Sequence, residues 1–149
     1  TFHNTGWKTG YCCAPKELTE EFRKVHQFNV FCVNHPVQKG LGEYLKEPSH
    51  YLELSQFYQE KRDLFLSLIE PSRFKFTPSK GTYFQVLDYS EITAENDVAF
   101  AKRLVIESGI AAIPLSVFNS HNLDNKVLRF CFAKANDTLK EAAEILNAI

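Results

Sequence analysis

The chain has no methionine, a single tryptophan, and only six glycines and six prolines in 149 residues. It contains no internal repeat and no low-complexity segment, which sets aside solenoid and disordered architectures. A surplus of one charge is also missing. Seventeen basic residues face eighteen acidic ones for a net charge of −1, and no window gathers Lys and Arg into a stripe that could neutralise a run of phosphates. Nucleic acid is therefore not expected as a partner. The longest apolar runs, such as residues 110–114, fall far short of the roughly 20 residues that a membrane-spanning helix needs, so no membrane is expected either. No His, Cys, Asp and Glu grouping has metal-ligand spacing, and no Ser, His and Asp triad is readable. The four cysteines, Cys12, Cys13, Cys32 and Cys131, show no C-x-x-C spacing and lie in apolar surroundings. They read as buried free thiols in a reducing compartment, and the expected location is cytoplasmic.

What is present is 44% apolar content, enough to bury a real core. Residues 10–14 form a short apolar, strand-like run, after which Pro15 suits the first turn of a helix because its missing N–H is not needed there. Leu18, Phe22, Val25 and Asn29 share one helical face. Asn34-His35-Pro36 breaks that helix and starts another through about Lys46. From residue 49 to residue 69, Leu54, Phe57, Tyr58, Lys61, Leu64, Phe65 and Leu68 recur at helical spacing, which predicts about 30 Å of continuous helix. Pro71 disfavours helical geometry in the residue before it and ends the run. The remainder reads β, α, β, β, α. Residues 82–87 form a strand, and Asn96 or Asp97 caps a helix that closes at Gly109. Residues 110–113 and 127–132 are strands separated by a polar loop, and Asn136-Asp137 caps a last helix.

Two basic residues stand out. Lys8 lies in a Gly-flanked loop, where the backbone can approach an anion and an ammonium supplies the opposing charge; on residue type alone, such a lysine is usually just a solvated surface group. Arg129 interrupts the apolar strand Val127-Leu128-Arg129-Phe130-Cys131-Phe132. Alternation places Leu128, Phe130 and Phe132 on one face and Val127, Arg129 and Cys131 on the other. A guanidinium on a largely apolar strand calls for a planar anion, and a carboxylate matches its fork, although an exposed or internally paired arginine would satisfy the same pattern. Tyr83, in Gly81-Thr82-Tyr83-Phe84, is either a site residue or a core aromatic. Asn34 and His35 are weaker candidates. His3, His26, His50 and His121 carry no role.

The opening Thr1-Phe2-His3-Asn4-Thr5-Gly6-Trp7-Lys8-Thr9-Gly10 resembles the stretch that follows the cofactor-binding lysine in fold-type I pyridoxal-phosphate aminotransferases. Further matches follow in the family's order at Asn34-His35-Pro36-Val37-Gln38, Gly81-Thr82-Tyr83-Phe84, Ala112-Ile113-Pro114-Leu115-Ser116 and Leu128-Arg129-Phe130-Cys131-Phe132. The kynurenine, glutamine and methionine aminotransferase group is the most similar. The resemblance implies the α/β pyridoxal-phosphate transferase fold, with this segment as the end of the large domain plus an α+β small domain. Residues 1–46 would then be the last elements of the large domain, 47–70 an interdomain helix, and 71–149 the small domain. It also implies that the Schiff-base lysine immediately precedes Thr1, so that no catalytic residue lies in this chain. Thr5, Gly6 and Trp7 would shape the loop from which Lys8 contacts the cofactor phosphate. Arg129 would bind the substrate α-carboxylate and Tyr83 would line the site. The expected activity is amino-group transfer between an amino acid and a 2-oxo acid by a homodimer. Carbon–sulfur lysis of cysteine conjugates and ligand sensing by a regulator's aminotransferase-like domain are the alternatives.

Overall fold

The computed structural model describes residues 4–149 and divides into two compact units, residues 1–54 and 55–149. In the first unit a 3-10 turn at Thr5–Trp7 leads to α1 (Lys16–Asn29), α2 (His35–Tyr44) and the single turn α3 (Ser49–Leu52). Pro15 stands just outside α1, where its carbonyl accepts the first helical bond from Thr19 N–H at 2.9 Å. The helix ends with two amides, of Val30 and Phe31, on the His26 carbonyl, and Phe31 turns the chain at a positive φ of 66°. Asn34 caps α2 by accepting the Val37 N–H at 3.2 Å, with Pro36 in the first turn. Leu18, Phe22 and Val25 do share a face of α1, but that face is exposed, and none of residues 4–54 is buried.

The core belongs to the second unit. α4 (Leu54–Ile69) buries Phe65, Leu66 and Ile69. β1 (Phe84–Asp88), α5 (Asp97–Arg103), β2 (Ile113–Pro114), β3 (Val127–Cys131) and α6 (Asn136–Asn147) follow in the expected β, α, β, β, α order. The strands form an antiparallel sheet in the order β1-β3-β2, which pairs Val86 with Arg129 on one side and Ile113 with Arg129 on the other. Leu87, Leu128, Phe130 and Phe132 turn inward against Phe74, Phe100, Leu104, Leu139 and Leu146, all at most 5% exposed. Asn96 caps α5 by accepting the Ala99 N–H at 2.9 Å. The helix continues as a π-helical turn over Leu104–Ser108 and stops at Gly109, whose φ of 70° only glycine adopts at little cost.

Several expectations are corrected. Residues 10–14 form no strand, and among the described residues no strand pairs with them. The helix expected over 49–69 is interrupted at Glu53, giving α3 and α4. Periodicity does not register one non-helical residue. Of the strand expected at 110–113 only Ile113 is in a strand, which runs over Ile113 and Pro114, the two residues that pair with β3. Asn136 does not cap α6; Ala135 occupies that position, and the Asn136 side chain accepts from Lys61 Nζ at 2.6 Å instead. Cys12, Cys13 and Cys32 are exposed free thiols rather than buried ones, and Cys131 is half-buried.

The loop before β3 carries a titratable anchor. Burial pushes the Asp124 carboxyl up, but the backbone N–H of Lys126 at 2.8 Å, the Lys126 ammonium at 3.0 Å and the Asp97 N–H outweigh it, so the net shift is downward. Stability from this group is therefore present above the ordinary aspartate value of 3.8 and lost as pH falls through the lower folded value. Acid titration of the full-length protein, followed by hydrogen exchange of the β3 amides, is expected to show protection falling through that window, with a shallower fall in Asp124→Asn.

Candidate active site

Arg129 sits in the central strand, on the face of the sheet opposite the core. Its guanidinium carbon lies 4.2 Å from the Phe84 ring centroid and 5.6 Å from that of Phe118. Phe84 belongs to β1, and Phe118 ends a 3-10 turn, Ser116–Phe118, that follows β2. Both are within cation–π range. Among the described residues no carboxylate or carbonyl meets this guanidinium, and its Nε is buried without a hydrogen-bond partner. A buried donor left unpaired costs about 1–3 kcal/mol, which a planar anion in the fork would recover.

The aromatic surface continues beyond the arginine. The Tyr83 ring is tilted against Phe84, with centroids 4.5 Å apart, and lies 5.9 Å from that of Tyr58 of α4. The Tyr83 carbonyl accepts the Phe132 N–H at 3.1 Å, which fixes the start of β1 to the end of β3. Tyr83 is 43% exposed, so it belongs to a surface rather than to the core. Burial raises the Tyr58 phenol above its ordinary value, and the neighbouring Tyr83 and Cys131 add to that effect. Arg129 and Tyr83 thus stand on one wall of the second unit. Sequence reasoning did not pick out Phe84, Phe118 or Tyr58, because an aromatic at a strand or helix position reads first as core.

Lys8 lies in the first unit. It follows the Thr5–Trp7 turn in the left-handed region, φ 52° and ψ 37°, with its N–H on the Thr5 carbonyl at 3.4 Å. A non-glycine residue held there costs about 1–2 kcal/mol. Thr9 Oγ1 closes the turn on the Trp7 carbonyl at 3.2 Å, and Trp7 is half exposed. Among the described residues no carboxylate pairs with the Lys8 ammonium. Beside this loop a cleft of about 940 Å³ is lined by Asn4, Thr9, Gly10, Tyr11, Gln38 and Tyr51, among others. Asn34 is occupied as a helix cap and His35 opens α2. Thr1, Phe2 and His3, which open the motif, lie outside the described residues.

Comparison with known proteins decides the family. The model for aminotransferase class I and II matches residues 1–146. The chain belongs to the class I and II aminotransferases. It is 47% identical to methionine aminotransferase of Escherichia coli over its whole length. It is also 30% identical to kynurenine–oxoglutarate transaminase 3 of Bos taurus, over 99% of this chain. A crystal structure from E. coli, for which a methionine aminotransferase function was identified, superposes with a TM-score of 0.92 at 47% identity over 99% of this chain. N-succinyldiaminopimelate aminotransferase of Mycobacterium tuberculosis gives 0.84 at 30% identity over 97%. The chain spans 39% of the E. coli relative and 37% of the bovine one, and 39% and 38% of the two solved chains.

The fold is accordingly that of the fold-type I, pyridoxal-phosphate-dependent aminotransferases. The donor chemistry of this chain fits part of such a cofactor: among the described residues no carboxylate meets the Lys8 ammonium, and Gly6 and Gly10 on either side leave open space, which suits a phosphate. Among the described residues no group of three or more His, Cys, Asp or Glu could hold a metal ion, and no helix is long and apolar enough to cross a membrane.

Proposed function

We propose that the full-length protein is a pyridoxal-phosphate-dependent aminotransferase that moves an amino group between an amino acid and a 2-oxo acid, with Arg129 as the anchor of the substrate α-carboxylate. The observation that carries this reading is the buried, unpartnered Nε of Arg129 on an aromatic wall. A carboxylate held in that fork has its Cα fixed in position and direction, an orientation effect that lowers the entropic part of the barrier. Phe84 and Phe118 flank the arginine with apolar surface, which favours amino acids carrying thioether or aromatic side chains. The 47% identity to a methionine aminotransferase supports methionine as the first substrate to try.

Pyridoxal phosphate, when bound, supplies the electron sink for the pair left by the broken Cα–H bond. Lys8 would hold its phosphate. In this reading residues 1–46 complete a larger domain, residues 47–70 link it to the small domain at 71–149, and the active protein is a homodimer. The unpaired thiols favour a reducing, cytoplasmic setting.

Steady-state assay of the full-length protein with methionine and a series of 2-oxo acids tests the activity: one 2-oxo acid should be produced for each one consumed. Turnover of methionine without an acceptor would point away from transamination. Lys8→Ala is expected to weaken cofactor binding about 10- to 100-fold, the loss of one charge-assisted bond of about 1.5–3 kcal/mol, and Lys8→Arg much less. Fluorescence titration of the apoprotein with pyridoxal phosphate measures both; equal affinity in Lys8→Ala would remove Lys8 from the site.

A further inference from the structure

Phe118 presents a mechanical problem. Its ring lies 5.6 Å from the Arg129 guanidinium yet is 67% exposed, so packing does little to hold it there. Its position must come from the backbone of the Ser116–Phe118 turn. Within that turn the support is local, from Phe118 N–H to the Leu115 carbonyl at 3.1 Å and Asn119 N–H to the Ser116 carbonyl at 3.0 Å. The one strong long-range tie is Asp97, at the start of α5. One carboxylate oxygen accepts the Ser116 N–H at 2.7 Å and the other accepts the Ser116 hydroxyl at 2.7 Å.

Asp97 is 1% exposed and Ser116 is 7% exposed. Among the described residues no cation pairs with this carboxylate, so its burial is compensated by hydrogen bonds alone. Burying an ion so sparsely compensated is costly, and well-packed apolar residues would stabilise the fold at least as well. What the pair supplies instead is geometry. The far end of the same loop is tied to the same place: the Asp97 N–H donates to Asp124 at 3.3 Å, and Lys126 Nζ donates to the Ala94 and Glu95 carbonyls at 3.0 and 2.8 Å. The segment that carries Phe118 is thus pinned at both ends to residues 94–97.

We propose that Asp97 and Ser116 are positioning residues that act through Phe118 to hold the Arg129 guanidinium in the orientation that receives the substrate carboxylate. The proposal rests on the reading of Arg129 given above. Phe84 holds the guanidinium from the sheet and Phe118 from the loop, so slack in the turn frees one of two contacts and spreads the fork over more orientations.

The test uses the full-length protein with its cofactor bound, and reads the KM for methionine together with inhibition by hexanoate, which has a carboxylate and no amino group. Asp97→Ala is expected to raise the KM and the hexanoate inhibition constant about five- to tenfold, in line with a loosened cation–π contact, with kcat changing less. Asp97→Asn should stay within about twofold, since its oxygen can accept the Ser116 N–H and its amide can donate to the hydroxyl. In an Arg129→Ala background, Asp97→Ala should have no further effect on hexanoate. An equal loss with and without Arg129, or the same loss in Asp97→Asn as in Asp97→Ala, overturns the proposal. Should Asp97→Ala not fold, Phe118→Ala replaces it, since its exposed ring contributes little to the core; unchanged hexanoate inhibition there also overturns the proposal. Unchanged inhibition in Arg129→Ala alone would instead overturn the reading of Arg129.

Discussion

Arg129→Ala in the full-length protein is expected to lower kcat/KM for the amino acid about 100- to 4000-fold while the bound cofactor and its visible absorbance remain. The magnitude follows from removing one partner of a desolvated, forked charge pair, about 3–5 kcal/mol, at about 1.4 kcal/mol per factor of ten. Retention of the cofactor is expected because the substitution leaves Lys8, the candidate phosphate ligand, in place. Arg129→Lys keeps the charge but loses the planar fork, so it should recover only part of the loss. Absorbance spectra of the purified variants, taken with steady-state kinetics, separate the two effects. Simultaneous loss of cofactor and activity would mean that the substitution acts on the fold instead.

The second large effect is on stability. Phe100 is fully buried, with Tyr89 at 4.6 Å and Phe74 at 6.3 Å between ring centroids. Phe100→Ala removes the side chain on which α5 is packed and leaves a cavity that close-packed neighbours fill only in part. The expected cost is about 3–5 kcal/mol, a large share of the roughly 5–15 kcal/mol that stabilises a domain. Hydrogen exchange of the β3 amides should accelerate at least about a hundredfold. Lys102→Ala, two residues away on the exposed side of the same helix, should change stability by no more than about 0.5 kcal/mol. Equal exchange rates in the two variants would show that α5 is not part of the cooperative core.

The features legible in the sequence are those enforced locally. The alternation around Arg129 is a consequence of the strand's two-residue period, and it places Leu128 and Phe130 inside and Arg129 on the other face, as expected. Asn96 and Gly109 mark the ends of one helical stretch because a cap and a left-handed stop depend on residue type. Features that depend on distant partners were not legible. Residues 10–14 are apolar enough for a strand, but none of the described residues pairs with them. The exposure of Cys12 and Cys32 depends on what packs over them rather than on their neighbours in sequence. Asp97 reads as a helix-capping residue, and nothing near it in the chain signals that its carboxylate is committed to Ser116, 19 positions on. Phe84 and Phe118 are 34 residues apart and meet at Arg129 only through the sheet and the turn.

The most direct measurement is a crystal structure of the full-length protein with cofactor and a carboxylate-bearing substrate analogue. The expected result is a carboxylate in the fork of Arg129, each N–O distance about 2.7–2.9 Å, with Nε no longer unpartnered. A carboxylate anchored on another residue, with Arg129 still lying bare between Phe84 and Phe118, would contradict the account.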